Sequence, residues 1–213
     1  MLVEVLPLGP LQANCYLAAD ARTRRTLIID PGDEPELVLA RLRHLELAPE
    51  AIVATHGHFD HVGGVRAIRE ATGVPFLALG EERETLEGSA LRAQIFGFYV
   101  DPPPLADRWL QEGDELAVGG LTFRVLHAPG HSPGHLILLG EGAAFVGDVI
   151  FAGSIGRTDL PGGDGEQLLA SIARCILRLP DETTLYPGHG PPTTVGRERA
   201  TNPFVLPLTR SPW

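Results

Sequence analysis

The sequence predicts a single-domain α/β protein, and three observations carry that prediction. Short apolar runs of strand length alternate with a few amphipathic helical stretches along all 213 residues. The composition, 44% hydrophobic and 21% charged, is that of a globular chain long enough to bury a core without disulfides. Finally, several strand-like runs lead into loops carrying His or Asp, the position at which α/β sheets build their sites. No repeat, linker or low-complexity stretch divides the chain, so 1–213 reads as one domain.

Taken in order, "LVEVLPL" (2–8), "CYLAA" (15–19) and "TLIID" (26–30) read as strands separated by turn residues. "DEPELVLARLRHLEL" (33–47) reads as a helix capped by Asp33, with Glu36 three residues on and Val38, Leu42 and Leu45 on one face. "AIVAT" (51–55) is a buried strand running into "HGHFDH", after which "VRAIREATG" forms a short helix ended by Gly73. "VPFLAL" (74–79) is a strand, 81–96 is helical, and "DPPP" (101–104) marks a loose segment. "LTFRVLHAPG" (121–130), "HLILLG" (135–140) and "AAFVGDVI" (143–150) are three further strand-like runs. "DGEQLLASIARCILRLP" (164–180) is the strongest helix: Asp164 and Gln167 resemble a capping box, and Leu168, Leu169, Ile172, Cys175, Ile176 and Leu179 share a face. "TLYPGHG" (184–190) is a last strand ending in a loop, and the apolar tail "NPFVLPLTRSPW" is expected to cover a sheet edge or meet a partner subunit.

Composition excludes several functions. The formal charge is −10 and no Lys/Arg cluster exceeds "RTRR" (22–25), so a nucleic-acid partner is not expected. The chain contains no lysine, which removes Schiff-base chemistry, a P-loop lysine and a lysine general base. Cys15 and Cys175 stand far apart in apolar contexts and read as small buried hydrophobes. The start "MLVEVLPLGP" lacks a basic region followed by a long apolar core, and no run is long enough to span a bilayer. A cytoplasmic protein with no membrane partner is therefore expected.

The decisive stretch is "IVATHGHFDHVGG" (52–64), which crowds His56, His58, Asp60 and His61 together. His56 and His58, two apart, fall on one face of an extended chain, while Asp60 and His61 follow where the chain turns toward a helix. That divergence suits two adjacent metal ions better than one. "APGHSPGH", "VGDVI" and "YPGHG" add His131, Asp148 and His189 on further strand ends. Imidazole and carboxylate without thiolate suit zinc, iron or manganese and argue against a structural cysteine site. The alternative, surface and capping residues that happen to cluster, fits a lone histidine far better than H-x-H-x-D-H with three Gly-flanked partners. "GHSPG" (130–134) matches the serine-hydrolase elbow formally, but Pro133 and the following strand do not supply the strand-to-helix turn that motif needs.

With "THGHFDH", "PGHSPGH", "GD" and "PGHG" in place, the chain resembles the metallo-β-lactamase superfamily over nearly its whole length. The resemblance implies a four-layer αβ/βα sandwich with a metal site along one edge of two packed sheets. It implies a first metal on His56, His58 and His131, a second on Asp60, His61 and His189, and Asp148 bridging both. His58 stands where the flavodiiron branch carries a Glu. "GPLQANCYL", "LIIDPGD", "APGHSPGH" and "GDVIFAGSIGRTDLPGG" look like the glyoxalase II-type branch, the hydroxyacylglutathione hydrolases and their short relatives. The resemblance thus implies a dinuclear thioesterase with two divalent ions, zinc first and iron or manganese as alternatives. A small S-acylglutathione-like thioester is then the expected partner.

By the same resemblance Arg157 falls where long members place a basic residue on a glutathione carboxylate. The tyrosine that follows it there has no counterpart here, and only about two dozen residues follow "YPGHG", too few for the long members' helical segment. In the implied chemistry an ion pair ~3.5–4 Å apart lowers the pKa of a bridging water toward ~7. The hydroxide attacks the thioester carbonyl, and Asp60 accepts a hydrogen bond from it as well as ligating. His127 and His135 are expected to orient the His131 loop, His44 to be a solvated surface residue, and Tyr186 to pack behind His189.

The alternatives share the scaffold. "GRTD" also resembles the persulfide dioxygenase branch, with one iron on His56, His131 and Asp148, although that branch more often shows cysteine in place of Ile155. Lactonases and phosphodiesterases use the same ligands. A metal-binding or storage module is the non-enzymatic reading.

Overall fold

The computed structural model describes residues 1–210. One six-stranded sheet runs in chain order through β1 (Leu2–Leu8), β2 (Ala13–Ala19), β3 (Arg25–Ile29), β4 (Ala48–Val53), β5 (Phe76–Leu79) and β6 (Arg108–Leu110). Its first three strands are antiparallel neighbours, whereas β3 to β6 are parallel. Parallel neighbours need crossovers. These are α1 (Pro35–His44), then α2 (Phe59–Val62) with α3 (Val65–Thr72), then α4 (Arg83–Glu87) with α5 (Ser89–Ile95).

The second six-stranded sheet has the order β14-β13-β10-β9-β8-β7. A meander of β7 (Glu115–Val118), β8 (Leu121–His127), β9 (Leu136–Gly140) and β10 (Ala143–Gly147) leads to β13 (Thr184–Pro187), parallel to β10, and to β14 (Thr193–Thr194). The crossover carries a small hairpin, β11 (Ile150–Phe151) and β12 (Ser154–Ile155), then α6 (Gly165–Ser171) continuing as a π-helical stretch over Ile172–Ile176. Helices α7 (Val195–Thr201) and α8 (Leu206–Arg210) close the described chain.

Period-two alternation sorts the side chains into layers. Leu27, Ile29, Val53 and Leu79 of the first sheet meet Phe123, Val125, Leu136 and Phe145 of the second in a shared core. Ile28, Ile52 and Phe76 face the other way and bury Val38, Leu42, Val65 and Ile68 of α1 and α3. Ile137, Ala144 and Leu185 do the same for Leu168, Ile172, Val195 and Val205. The result is helix, sheet, sheet, helix: the four-layer sandwich the resemblance implies. Each fully buried large side chain contributes roughly 1.5–3 kcal/mol.

The strands fall where expected to within a few residues, and Gly73, at φ 73°, ends α3 as its position suggests. Helix starts differ more. Asp33 does not cap α1; Pro35 opens the helix after Glu34 at φ 45°, and Asp33 instead accepts the Glu34 amide. Gly9 donates to the Glu34 carboxylate, so Glu34 holds the β1–β2 turn. Residues 81–96 divide into a 3-10 turn at Gly80–Glu82 followed by α4 and α5. The Asp164 cap forms, accepting the Gln167 amide at 3.0 Å. Five short strands (β6, β7, β11, β12, β14) have no counterpart in the sequence reading. The apolar tail packs on its own chain: Val205 enters the outer core, and Asn202 donates to Ser154 O at 2.9 Å. The end of that tail, residues 211–213, lies outside the described residues. No helix among the described residues is long and apolar enough to cross a membrane.

Candidate metal centre

All seven predicted donors stand at the same edge of the sandwich. His56 and His58 lie on the turn after β4; Asp60 and His61 occupy the single turn of α2; His131, Asp148 and His189 follow β8, β10 and β13. Backbone bonds across the edge lock the loops together. Asn14 N–H donates to Gly188 O at 2.7 Å and Gly188 N–H to Gly147 O at 2.8 Å. The Asn14 side chain donates to Pro187 O and Gly190 O.

The donor atoms form two groups. His56, His58 and His131 converge in one, with His131 Nε2 at 2.9 Å from His58 Nδ1. Asp60, His61 and His189 converge in the other, where His189 Nε2 lies 3.3 Å from both His61 Nε2 and Asp60 Oδ2. Asp148 stands between them: Oδ2 is 3.5 Å from His131 Nε2 and 3.7 Å from His189 Nε2, and Oδ1 is 3.6 Å from His61 Nε2.

Hydrogen bonds behind the rings fix which nitrogen faces inward. Asp30 is buried, accepts the Thr55 amide and hydroxyl, both at 2.6 Å, and stands 3.1 Å from His61 Nδ1. Since the Thr55 hydroxyl proton goes to Asp30, the same oxygen accepts Nδ1–H of His56 at 3.1 Å. His131 Nδ1–H donates to Arg157 O at 2.8 Å. These bonds assign the tautomers and leave Nε2 of all three rings free to face the edge. Asp30 itself forms a geometric group with His56 and His61, but its oxygens are already engaged, so it orients ligands rather than adding one.

The donor set fits a divalent ion pair. His56 Nε2 and Asp148 Oδ1 are buried without a hydrogen-bond partner, a costly state for polar atoms unless something electropositive meets them. Two nitrogens each 2.0–2.1 Å from a tetrahedral ion lie about 3.3 Å apart, within the spread of the spacings here. Burial and the neighbouring imidazoles hold His56 and His135 well below the usual histidine range, and burial followed by His131 brings His58 down to about 3. Neutral imidazole is the ligating form. The second group differs. Burial opposes protonation of His61, yet Asp148, Asp60 and Asp30 outweigh it and push the ring up to about 10. Burial likewise opposes ionisation of Asp60, and His61 and His189 overcome it to hold the carboxyl below its usual range.

Close packing explains the glycine of "PGHG". A Cβ on Gly188 would fall 2.1 Å from Asp148 Oδ1 and 2.7 Å from His61 Cε1, so this position has room for hydrogen only. His135 accepts the Asp148 amide at 3.0 Å and stacks on His56, and His127 donates to Pro133 O at 2.8 Å, so both shape the surroundings. His44 is exposed and Tyr186 stacks on Phe145. Ser132 of the formal serine-hydrolase motif is buried and donates to Glu82, which removes it as a nucleophile.

A cavity of about 620 Å³ opens over His58, Asp60, His131, Asp148 and His189. Arg157 lines it with its guanidinium bound at two points to Asp159, and Arg92 lines it while donating to Thr85 O. Sequence reasoning missed Asp30, Thr55, Glu82 and Asn14. Asp30 sat in view in "LIIDPGD", yet no local spacing marks it as the residue behind two of the rings.

Two packed sheets with imidazoles and carboxylates converging at one edge define a class of metal-dependent hydrolases. The chain belongs to the metallo-β-lactamase superfamily, whose family model matches residues 8–189. It is 41% identical over 209 residues to the hydroxyacylglutathione hydrolase GloC of Haemophilus influenzae, covering 96% of this chain and 98% of that one. Among solved structures, BLEG-1 B3 metallo-beta-lactamase superimposes with a TM-score of 0.90 at 41% identity, covering 96% of this chain and 99% of that one. TTHA1623 in a di-iron-bound form gives 0.88 at 46% identity, covering 95% and 100%.

Proposed function

We propose that this protein is a dinuclear thioesterase of the glyoxalase II type, with His56, His58 and His131 holding one ion, Asp60, His61 and His189 the second, and Asp148 bridging. The observation that carries the reading is the Asp148 carboxylate, set between two donor groups at 3.5 Å from His131 and 3.6 Å from His61. GloC supports the thioester, and the di-iron TTHA1623 supports two ions while leaving zinc and iron both open for this chain. We place the activity in the cytoplasm, which two free buried thiols suit, on a small-molecule substrate.

When bound, such a pair supplies a water activated near neutral pH and a Lewis acid for the scissile carbonyl. The protein's own groups do the rest. Asp60, a member of the second group, would help hold the second ion, and its Oδ2 is placed to accept a hydrogen bond from a water there and orient it. The cavity holds the substrate over the edge, and Arg157 on its wall is placed to meet an anionic part of the leaving group once it exchanges Asp159 for substrate. The thiolate is a good leaving group and departs without a strong acid.

Elemental analysis of protein purified without added metal, paired with S-lactoylglutathione turnover, tests the reading. Near two ions per chain with hydrolysis, both lost in His56→Ala and Asp148→Ala, is the expected result. About one iron per chain, no hydrolysis and oxygen uptake with glutathione persulfide overturns it in favour of a dioxygenase.

A further inference from the structure

Resting on that thioesterase reading, we infer that the substrate's non-reacting arm is an apolar acyl chain, bound by an aromatic wall beside the metal edge. Phe59, Phe96 and Phe98 form this wall, with ring centroids 6.3 Å apart for Phe59–Phe96 and 5.4 Å for Phe59–Phe98. Ile95, Phe151 and Leu160 extend it around the same cavity. Ile95 is 74% exposed and Phe96 50%, so large apolar side chains stand open to water at the mouth of a reaction site rather than in the core. Apolar surface kept exposed in a concave site is the signature of a surface meant to be covered by a ligand.

The charge distribution points the same way. A glutathione thioester brings two carboxylates and an ammonium. The cavity's acids, Asp60 and Asp148, belong to the donor set, and Arg157 is already paired with Asp159. Arg157 serves the leaving group once it exchanges Asp159, and the other lining arginine among the described residues, Arg92, donates to Thr85 O. A cavity of about 620 Å³ is within the usual range for a small-molecule ligand, and its aromatic wall contributes affinity for methylene groups without regard to their exact placement.

A chain-length series tests this on the full-length, metal-loaded protein. S-acyl-N-acetylcysteamine thioesters from acetyl to decanoyl share one leaving group and differ only in the arm. The expected result is a rise in kcat/KM of about fourfold per added methylene, the ratio that corresponds to ~0.8 kcal/mol per buried CH₂, until the wall is filled. Phe96→Asp and Ile95→Asp, at exposed positions that do not endanger folding, are expected to flatten the slope. Calorimetric binding of hexanoate to decanoate by the same metal-loaded protein reads the wall without catalysis, with the same rise per methylene. Hydrolysis that is flat along the series, with S-lactoylglutathione turned over fastest, overturns the inference and leaves the thioesterase intact. No hydrolysis together with length-dependent alkanoate binding overturns the thioesterase and leaves the wall. Alkanoate binding independent of length overturns the wall itself.

Discussion

The carboxylate of Glu82 accepts the hydroxyl proton of Ser132 at 3.1 Å across 50 residues of chain, with neither side chain open to solvent. The same carboxylate accepts the amides of Gly57 at 2.9 Å and Gly134 at 2.6 Å. Gly57 lies between His56 and His58, and Gly134 ends the His131 loop, so one buried acid joins the two loops of the first donor group. Burial pushes its carboxyl up even against those bonds. Glu82→Gln keeps the shape but turns an NH₂ toward an amide donor. The expected cost is about 1–3 kcal/mol for a buried donor left unsatisfied. Thermal melts should show a fall in Tm of about 2–4 °C per kcal/mol at this chain length. Competition with a chelator should show weakened binding of one ion before the other.

Asp30 reaches both groups, His61 directly and His56 through Thr55. Asp30→Asn is expected to weaken metal binding by about 10–100-fold, since the partners that orient ligands carry effects of that size. Thr55→Val, which breaks only the arm to His56, should affect one ion. Metal titration with a chromophoric competitor separates the two patterns.

His56, His58, His61, His135 and His189 are expected to give the metal-free protein a stability maximum near the ordinary histidine pKa of about 6.5. His56, His58 and His135 stay neutral in the fold, with His58 near about 3, so below pH 6.5 the unfolded chain takes protons that the fold refuses. Stability is therefore lost as pH falls through that range. His61 is raised to about 10 and His189 is raised as well, so their contribution is complete below pH 6.5 and fades as pH rises through about 10. Denaturant melts of chelated protein from pH 4 to 10 read both limbs. Ion loading should flatten the alkaline limb, because it replaces the His61 proton, and should release that proton to buffer in calorimetry.

Gly188→Ala brings a methyl group onto Asp148 and His61 at once. Overpacking of this kind costs about 1–3 kcal/mol. The larger expected effect is on ion content, which should drop for both sites if Asp148 bridges them as proposed. A variant with two ions per chain and full turnover would show that the edge shifts to accommodate the methyl group.

The donors were legible because metal binding writes itself locally: His56, His58, Asp60 and His61 occupy six consecutive positions, and His131, Asp148 and His189 each follow a strand with glycine beside them. The sheets were legible from alternation, as Leu27, Ile28 and Ile29 point to opposite cores in turn. Asp30, Glu82 and Asn14 were not, because each acts only after folding brings distant loops to it. Glu82 in sequence is one acid in an acidic run, "GEERE", and nothing in that run distinguishes the residue that ends up buried. The short strands β6 and β7 escaped for a related reason. Three or four residues carry too little periodicity to register, and their pairing with β5 and β8 supplies what the sequence does not.

The division of the donors between the sheets orders events on the ribosome. The loop after β4 emerges first with His56, His58, Asp60 and His61, while His131, Asp148 and His189 are still to be synthesised. The full donor set exists only once β13 has been made. On the proposed two-ion reading, complete ion capture would follow the pairing of the two sheets instead of preceding it. Bound there, ions would tie the loop after β4 in one sheet to the loop after β13 in the other, a fastening that two free cysteines do not supply.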